Sequence, residues 1–281
     1  MRFILLLLVL APFVSMGQTV CSQESRERLN MMLSKLSQED NTQKTMNELM
    51  VEIGLQFLNT PYLEKTLEVS EDEKLVINLV GLDCTTFLES VMAMARIVKS
   101  NRPAFREYER ELEFIRYRAG TRKEYPSRLH YFSDWIYDNQ QKGVLSDITK
   151  DIGGEMYANH PSFMSSHPAS YSQLADVEFV EQIKLAEAAI ATREYYYLPK
   201  TAVRVQENKI MPGDLIAITI ALENLDVSHV GIAIKQNGRI HLLHASLDSK
   251  KVEISEKPLS DYLMSHKSQS GIMVCRLREP E

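Results

Sequence analysis

Asn237-Gly238, set between the apolar runs Val227 to Ile234 and Arg239 to Ser246, constrains this chain more than any other dipeptide in it. A two-residue type I′ hairpin needs positive φ at both central positions, which Asn and Gly tolerate. With those residues as the loop, Gln236 pairs with Arg239, and counting back sets His244 opposite Gly231. His229 then shares a face with His244 across a diagonal of about 7–8 Å, with Gly231 leaving room between the two rings. His241 pairs with Ile234 and points to the other face. A three-residue loop would reverse the assignment, so the pairing of the histidines depends on the register.

A second stretch gives the histidines something to act on. In Gly81-Leu82-Asp83-Cys84-Thr85-Thr86-Phe87-Leu88-Glu89, Gly81 and Asp83 are breaker and cap, and Phe87, Leu88, Val91, Met92, Ala95 and Val98 follow at the spacing of a helix with one buried face. Cys84 falls in the first turn, where unpaired N–H groups and the helix dipole favour a thiolate. Alone, such a cysteine reads as a small apolar side chain. Joined to two imidazoles on one strand face, it reads as the nucleophile of a Cys–His site. His130, His160, His167 and His266 lie in polar stretches that suit solvated or capping histidines, and no zinc-like spacing with a cysteine indicates a metal.

Taken in order, residues Ser25 to Leu36 and Thr42 to Leu58 have helical periodicity, and Asn59-Thr60-Pro61 ends the second helix. Tyr62 to Val80 is polar and irregular. Pro103 suits the first turn of a helix with Phe105, Tyr108, Leu112 and Ile115 inward and Gly120 as its stop. Arg122 to Tyr131 reads as an exposed basic and aromatic loop, followed by a short helix capped by Ser133 and ended by Gly143. Ile148 to Tyr171 carries Gly153-Gly154 and two His-Pro pairs, which is loop chemistry, before a helix from Val177 to Thr192. After Pro199 the pattern is of strands: Val203-Arg204-Val205, Asp214 to Ala221, the two hairpin runs, Val252 to Ser255 and Ile272 to Leu277. Helices first and an antiparallel meander last make an α+β layout, with no repeat or linker to divide it.

The 281 residues suffice for a full core without metal or disulfide. Arg2, the apolar stretch Phe3 to Val14 and Ser15-Met16-Gly17 read as a cleaved secretory leader, too short to be a permanent membrane anchor. Gln18-Thr19-Val20 ahead of Cys21 lacks the small residue that lipid attachment requires, so the expected mature chain is soluble and starts near Gln18. Loss of Arg2 takes the formal charge from −6 to −7, a surface unsuited to nucleic acid. Of the cysteines at 21, 84 and 275, at most two can pair. Cys84 is the preferred free thiol, and the alternative is that all three simply pack.

Five motifs then resemble, in order, those of the NlpC-type papain-like cell-wall cysteine hydrolases: Phe57-Leu58-Asn59-Thr60-Pro61-Tyr62, Leu82-Asp83-Cys84, Pro212-Gly213-Asp214-Leu215, Ser228-His229-Val230-Gly231-Ile232 and His244-Ala245-Ser246. Thr85-Thr86-Phe87-Leu88-Glu89 looks like the N-acetylmuramoyl-L-alanine amidase-like subfamily. The resemblance implies a papain-like α+β core with the nucleophile helix on an antiparallel sheet. It implies a single catalytic domain over 18–281, with a helical and loop-rich insertion over 100–205 shaping the cleft. By resemblance Cys84 is the nucleophile, His229 the general base and then acid, His244 the group that orients His229, and Tyr62 a border of the oxyanion site beside the Cys84 N–H. Arg128-Leu129-His130-Tyr131-Phe132-Ser133-Asp134-Trp135 resembles a stretch of that subfamily, which makes Arg128, His130, Tyr131 and Trp135 candidate substrate contacts. Core aromatics and a surface ion pair are the alternative for that stretch. No cofactor and no metal is implied, and the expected partners are muropeptides met outside the cytoplasm, in the periplasm. The spacing from Leu63 to Gly81 is longer than in the shorter peptidases and lacks their Gly-Gly, so their D-glutamyl–diaminopimelate preference does not transfer. That cut with the same site stays open as an alternative, and so does a catalytically silent wall-binding module.

Overall fold

The structure is a computed structural model that describes residues 19–280; the leader expected over residues 1–17 lies outside the described residues. The first half of the chain runs β1 (Val20–Cys21), α1 (Gln23–Leu36), α2 (Met46–Leu55), β2 (Val76–Ile77), α3 (Cys84–Lys99), α4 (Phe105–Arg116) and α5 (Phe132–Gln141). It continues through β3 (Leu145–Asp147), β4 (Glu155–Tyr157), α6 (Phe163–Ser166), α7 (Val177–Ala191), β5 (Tyr195–Pro199) and α8 (Lys200–Gln206). The last quarter is β6 (Leu215–Ile220), β7 (Val227–Gln236), β8 (Arg239–Ser246), β9 (Lys251–Ile254), α9 (Leu259–Ser265) and β10 (Gln269–Leu277). The class is α+β, as expected.

An antiparallel sheet in the order β4-β5-β10-β6-β7-β8-β9 forms the platform, with β3 also on β10. Strands β6 to β9 make the expected meander, but β10 returns to the other side of β6 and extends the sheet toward β5 and β4. The hairpin is the one the sequence dictates. Asn237 and Gly238 both have positive φ (49° and 78°), Gln236 pairs with Arg239, and Ile234 pairs with His241. Leu215, Ala217, Val230, Ile232, Leu243 and Met273 line one face and join the large helix-bearing core. Ile216, Ile218, Ala233, Leu242 and Ile272 line the other face with Val203, Leu259 and Leu263 from α8 and α9.

Helix α3 departs from the one-sided pattern read in the sequence. Every residue from Thr86 to Val98 is buried, because α1, α2, α4, β7 and β8 all pack against it. A helix apolar almost all round belongs at the centre of a core. Its few charged side chains are therefore paired inside the protein: Glu89 binds Arg116, and Arg96 binds Glu111.

Four other expectations are corrected. Val203-Arg204-Val205 lies in α8, because burial of Val203 alone, with Arg204 and Val205 exposed, satisfies a helix as readily as a strand. Ser133 does not cap α5: that helix starts at Phe132, and the Ser133 N–H is capped from afar by Asp226 at 2.7 Å. Pro103 precedes α4 instead of opening it. The polar stretch Tyr62 to Val80 ends in the buried Leu75, Val76, Ile77 and Leu79, where β2 pairs with β1.

The Pro212-Gly213-Asp214 motif is explained by packing. Gly213 has φ +88°, and a Cβ there would lie 2.2 Å from the Asn47 carbonyl oxygen. Buried Asp214 accepts two hydrogen bonds from Arg276 and one from Asn47, joining α2 to the sheet. None of the three cysteines is in a disulfide; Cys275 is buried in β10 and Cys21 lies in β1.

Candidate active site

Cys84 is the first residue of α3, and Asp83 caps the helix by accepting from the Thr86 N–H at 2.7 Å while the Thr86 hydroxyl accepts from the Asp83 N–H at 3.0 Å. The helix start is held laterally. The Leu82 N–H donates to the Pro61 carbonyl (3.0 Å) and the Leu63 N–H to the Leu82 carbonyl (3.1 Å), bridging Tyr62 to Leu82. The Tyr62 N–H donates to the Lys250 carbonyl (2.8 Å), which ties the same segment to the β8–β9 turn.

At the start of β7 the ladder to β6 shifts register, so that Ile218 pairs with His229 and Thr219 with Val227, leaving Ser228 as the extra residue. A bulge of this kind re-aims the neighbouring side chain. His229 Nε2 lies 2.6 Å from His244 Nδ1, with the rings edge to face. The diagonal pairing inferred from the hairpin register is therefore present. Gly231, however, serves β8 more than the rings: a Cβ there would meet Leu242 and the Leu243 carbonyl at 2.8 Å.

Cys84, Thr85, His229 and Val230 line one cavity of about 200 Å³, with Leu129, His130, Tyr131, Phe132, Met164, Tyr171 and Asp226 among the other walls. Since His229 Nε2 is engaged by His244, Nδ1 is the nitrogen left for chemistry in that cavity. His241 faces away from this pair and bonds the Ser255 carbonyl at 2.8 Å.

The electrostatics differ from those anticipated for a helix start. Burial pushes the Cys84 thiol up to about 11; Asp83 adds to the rise, and a hydrogen bond from the Val230 backbone only partly offsets it. The capping carboxylate sits at the same helix end as the sulfur, so its charge opposes the dipole there. Burial pushes His229 down to about 4, with His266 adding to the fall, and pushes His244 down to about 3 beside His229. At neutral pH the resting pair is thus an uncharged thiol and an uncharged imidazole.

Of the residues singled out as substrate contacts, His130 and Tyr131 line the cavity, whereas Arg128, Trp135 and Tyr62 are not among its walls. Arg128 is buried and paired with Glu68 and Glu73, so the basic aromatic loop expected at the surface is largely core. Trp135 is wholly buried, its indole N–H donating to Glu89 at 3.1 Å and its ring stacked on Phe132. Tyr131 is anchored through its hydroxyl to Glu187 (2.7 Å) and the Met164 N–H (2.9 Å). Tyr62 is partly buried, and desolvation together with nearby Cys84 and Asp83 pushes its phenol up to about 12. His130 bonds the Tyr125 carbonyl through Nε2 at 3.0 Å, and burial holds it down at about 3.

Asp226 is a cavity residue that sequence reading missed. It is fully buried, accepts from the Ser133 and Val227 N–H groups at 2.7 and 2.8 Å, and so ties α5 to the entrance of β7. A single carboxylate before a strand carries no periodicity, and only the distant helix start that it caps reveals its role.

Three neutral histidines at this site make the fold acid-sensitive. Their folded values, about 4 for His229 and about 3 for His130 and His244, lie below the unfolded value of 6.5. The unfolded chain therefore binds protons that the folded chain refuses. The stability each one contributes is complete above pH 6.5 and is lost as pH falls toward the folded values, by up to about 1.4 kcal/mol per pH unit for each group. Thermal melts from pH 7 to 4.5 should show a smaller fall for His130→Gln than for the parent. Parallel curves would mean that His130 is not held neutral by the fold.

The family model of AmiA-like proteins, described as N-acetylmuramoyl-L-alanine amidase-like, matches residues 52–272. The chain belongs to that family. An N-acetylmuramoyl-L-alanine amidase from Bacteroides uniformis is 38% identical and superposes with a TM-score of 0.80 over 83% of this chain and 99% of its own. A Bacteroides fragilis protein described as a candidate xylanase is 40% identical, with a TM-score of 0.74 over 80% of this chain and 99% of its own. A Legionella pneumophila protein is similar at 25% identity, with a TM-score of 0.70 over 92% and 98% of the two chains. No curated protein matches the sequence. The family and the Bacteroides uniformis neighbour support an amidase-like hydrolase acting on peptidoglycan.

Proposed function

We propose that the protein is an exported, periplasmic cysteine amidase that cuts the amide between N-acetylmuramic acid and L-alanine in peptidoglycan fragments, on an NlpC-type papain-like core. One observation carries the reading: Cys84 shares a cavity with His229, whose far nitrogen is bonded to His244 at 2.6 Å. The xylanase description of one neighbour finds no support in that cavity. Glycosidases need two carboxyl groups flanking the bond, and the cavity has one, Asp226, already committed to two backbone N–H groups. Among the described residues no helix is long and apolar enough to cross a membrane, and no cluster of three or more metal-ligating side chains occurs.

The chemistry follows from the neutral pair. As the Cys84 sulfur attacks the lactyl carbonyl carbon, its proton passes to His229 Nδ1, and the imidazolium is stabilised by its Nε2–H bond to His244 Nδ1. The oxyanion is received by the Cys84 N–H, an unpaired donor of the first helical turn, with the Tyr62 hydroxyl at its border. Collapse breaks the C–N bond while His229 returns the proton to the departing L-alanine nitrogen, leaving a muramoyl thioester on Cys84. Water then attacks the thioester carbonyl, gives one proton to His229, and releases the sugar acid as the thiol is restored.

Because His229 ionises near 4 and Cys84 near 11, the reactive neutral pair predominates across the range between. kcat/KM should be nearly flat from about pH 5.5 to 9 and fall below pH 5, where His229 holds a proton and cannot act as a base. A bell centred near neutrality, with both limbs inside that range, would contradict the neutral-pair mechanism. The bond itself is tested by mass spectrometry of a digested muropeptide. Release of an intact stem peptide with a free L-alanine terminus is expected, whereas a dipeptide left on the sugar would assign the D-glutamyl–diaminopimelate bond.

A further inference from the structure

The hydrogen bond between His229 Nε2 and His244 Nδ1 contains one proton, and its position decides whether the site can work. If it rests on His229 Nε2, then Nδ1 of neutral His229 is a lone pair able to take the thiol proton, and His244 carries its own proton on Nε2. If it rests on His244 Nδ1, the proton of His229 is on Nδ1 and the base faces the sulfur already occupied. The two rings are otherwise alike, so something beyond them must select the productive arrangement.

His244 Nε2 is buried and, among the described residues, has no hydrogen-bond partner. The His244 ring instead meets the Tyr262 ring edge to face, with centroids 5.7 Å apart and planes at 75°. An aromatic face attracts an N–H edge and repels a lone pair, so an Nε2–H directed at the Tyr262 ring would be favoured over a bare Nε2 there. Tyr262 is itself fixed. Its ring lies 4.5 Å from the His266 ring, and its carbonyl accepts from His266 Nδ1 at 2.8 Å.

We propose that the Tyr262 ring holds His244 in the Nε2–H tautomer and so keeps His229 Nδ1 free to accept a proton from Cys84. Tyr262 is a positioning residue, acting on the base through His244. The inference deepens the cysteine-amidase reading and rests on it for its catalytic consequence, but not for the tautomer itself. The ionisable neighbours of the pair are Glu253, paired with His244 across β9, His266 at the end of α9, Asp248 in the β8–β9 turn, and Cys84 and Asp83 on α3. None of them is a hydrogen-bond partner of His244 Nε2.

The direct test is two-bond ¹H–¹⁵N correlation of the histidine rings in the intact protein, read for the parent, Tyr262→Phe and Tyr262→Leu. In the parent and in Tyr262→Phe, His244 should be protonated on Nε2, with that proton moved upfield by the aromatic ring current. In Tyr262→Leu the Nδ1–H form should appear, and kcat at pH 7 should fall about tenfold or more at similar KM. Its activity should then climb with pH through 9 and above, as a thiol without a base must ionise unaided. Nδ1 protonation in the parent overturns the proposal without any variant. Unchanged tautomer and pH profile in Tyr262→Leu overturns it in favour of an ordered water, and an equal loss in Tyr262→Phe overturns it in favour of the hydroxyl. Since the spectra need no turnover, a failure of the amidase reading would appear separately, as absent hydrolysis with the tautomer intact.

Discussion

Replacing Cys84 by serine should lower muropeptide hydrolysis by at least about 10³-fold while leaving the melting temperature within a few degrees of the parent. The side chains are nearly isosteric, and the residue sits partly buried at a helix start whose cap is Asp83, so the fold loses little. Chemistry loses its nucleophile, because a hydroxyl is far harder to deprotonate than a thiol and His229, held near 4, is a weak base for the task. The cavity walls contributed by His130 and Tyr131 are untouched. KM should therefore change less than kcat. Parent-like processing by the variant would mean that Cys84 is not the nucleophile.

The second large effect is on stability. Glu89→Ala should destabilise the protein by about 3–5 kcal/mol, a substantial part of what an ordinary domain has. Glu89 and Arg116 are almost inaccessible, at 2% and 3% side-chain exposure, and 2.7 Å apart. Removing the carboxylate leaves the Arg116 charge, among the described residues, with the Val76 carbonyl alone as a hydrogen-bond partner and strands the indole N–H of Trp135. Trp135→Phe is the informative control, since it keeps Arg116 paired and should lose only about 1 kcal/mol from the missing hydrogen bond, plus some packing. Urea melts check both values. A Trp135→Phe variant with normal stability and a raised KM would restore the indole as a sugar contact.

The parts legible in the sequence were those with a local grammar. The Asn237-Gly238 turn fixed the register that brings His229 to His244, and Asp83 marked the helix start at Cys84. What stayed hidden depends on long-range pairing. Nothing near Arg128 announces Glu68 and Glu73, and nothing near Trp135 announces Glu89, so side chains that look like surface recognition groups are core. Strand β5 was missed because Tyr195 to Pro199 alternates weakly and becomes a strand only between β4 and the returning β10. The thiol was misjudged for a related reason: the helix dipole is a local property, while desolvation of Cys84 is set by everything packed around it.

The most direct measurement is the mass of the acyl group trapped on the enzyme by acid quenching during turnover of a defined muropeptide. The tryptic peptide from Leu75 to Arg96 contains Cys84 and should carry the muramoyl sugar alone, joined as a thioester. A sugar still bearing L-alanyl-D-glutamate on that peptide would move the cut to the peptidase bond. An acyl group on a peptide without Cys84, or hydrolysis that persists after Cys84 is alkylated, would contradict the nucleophile itself.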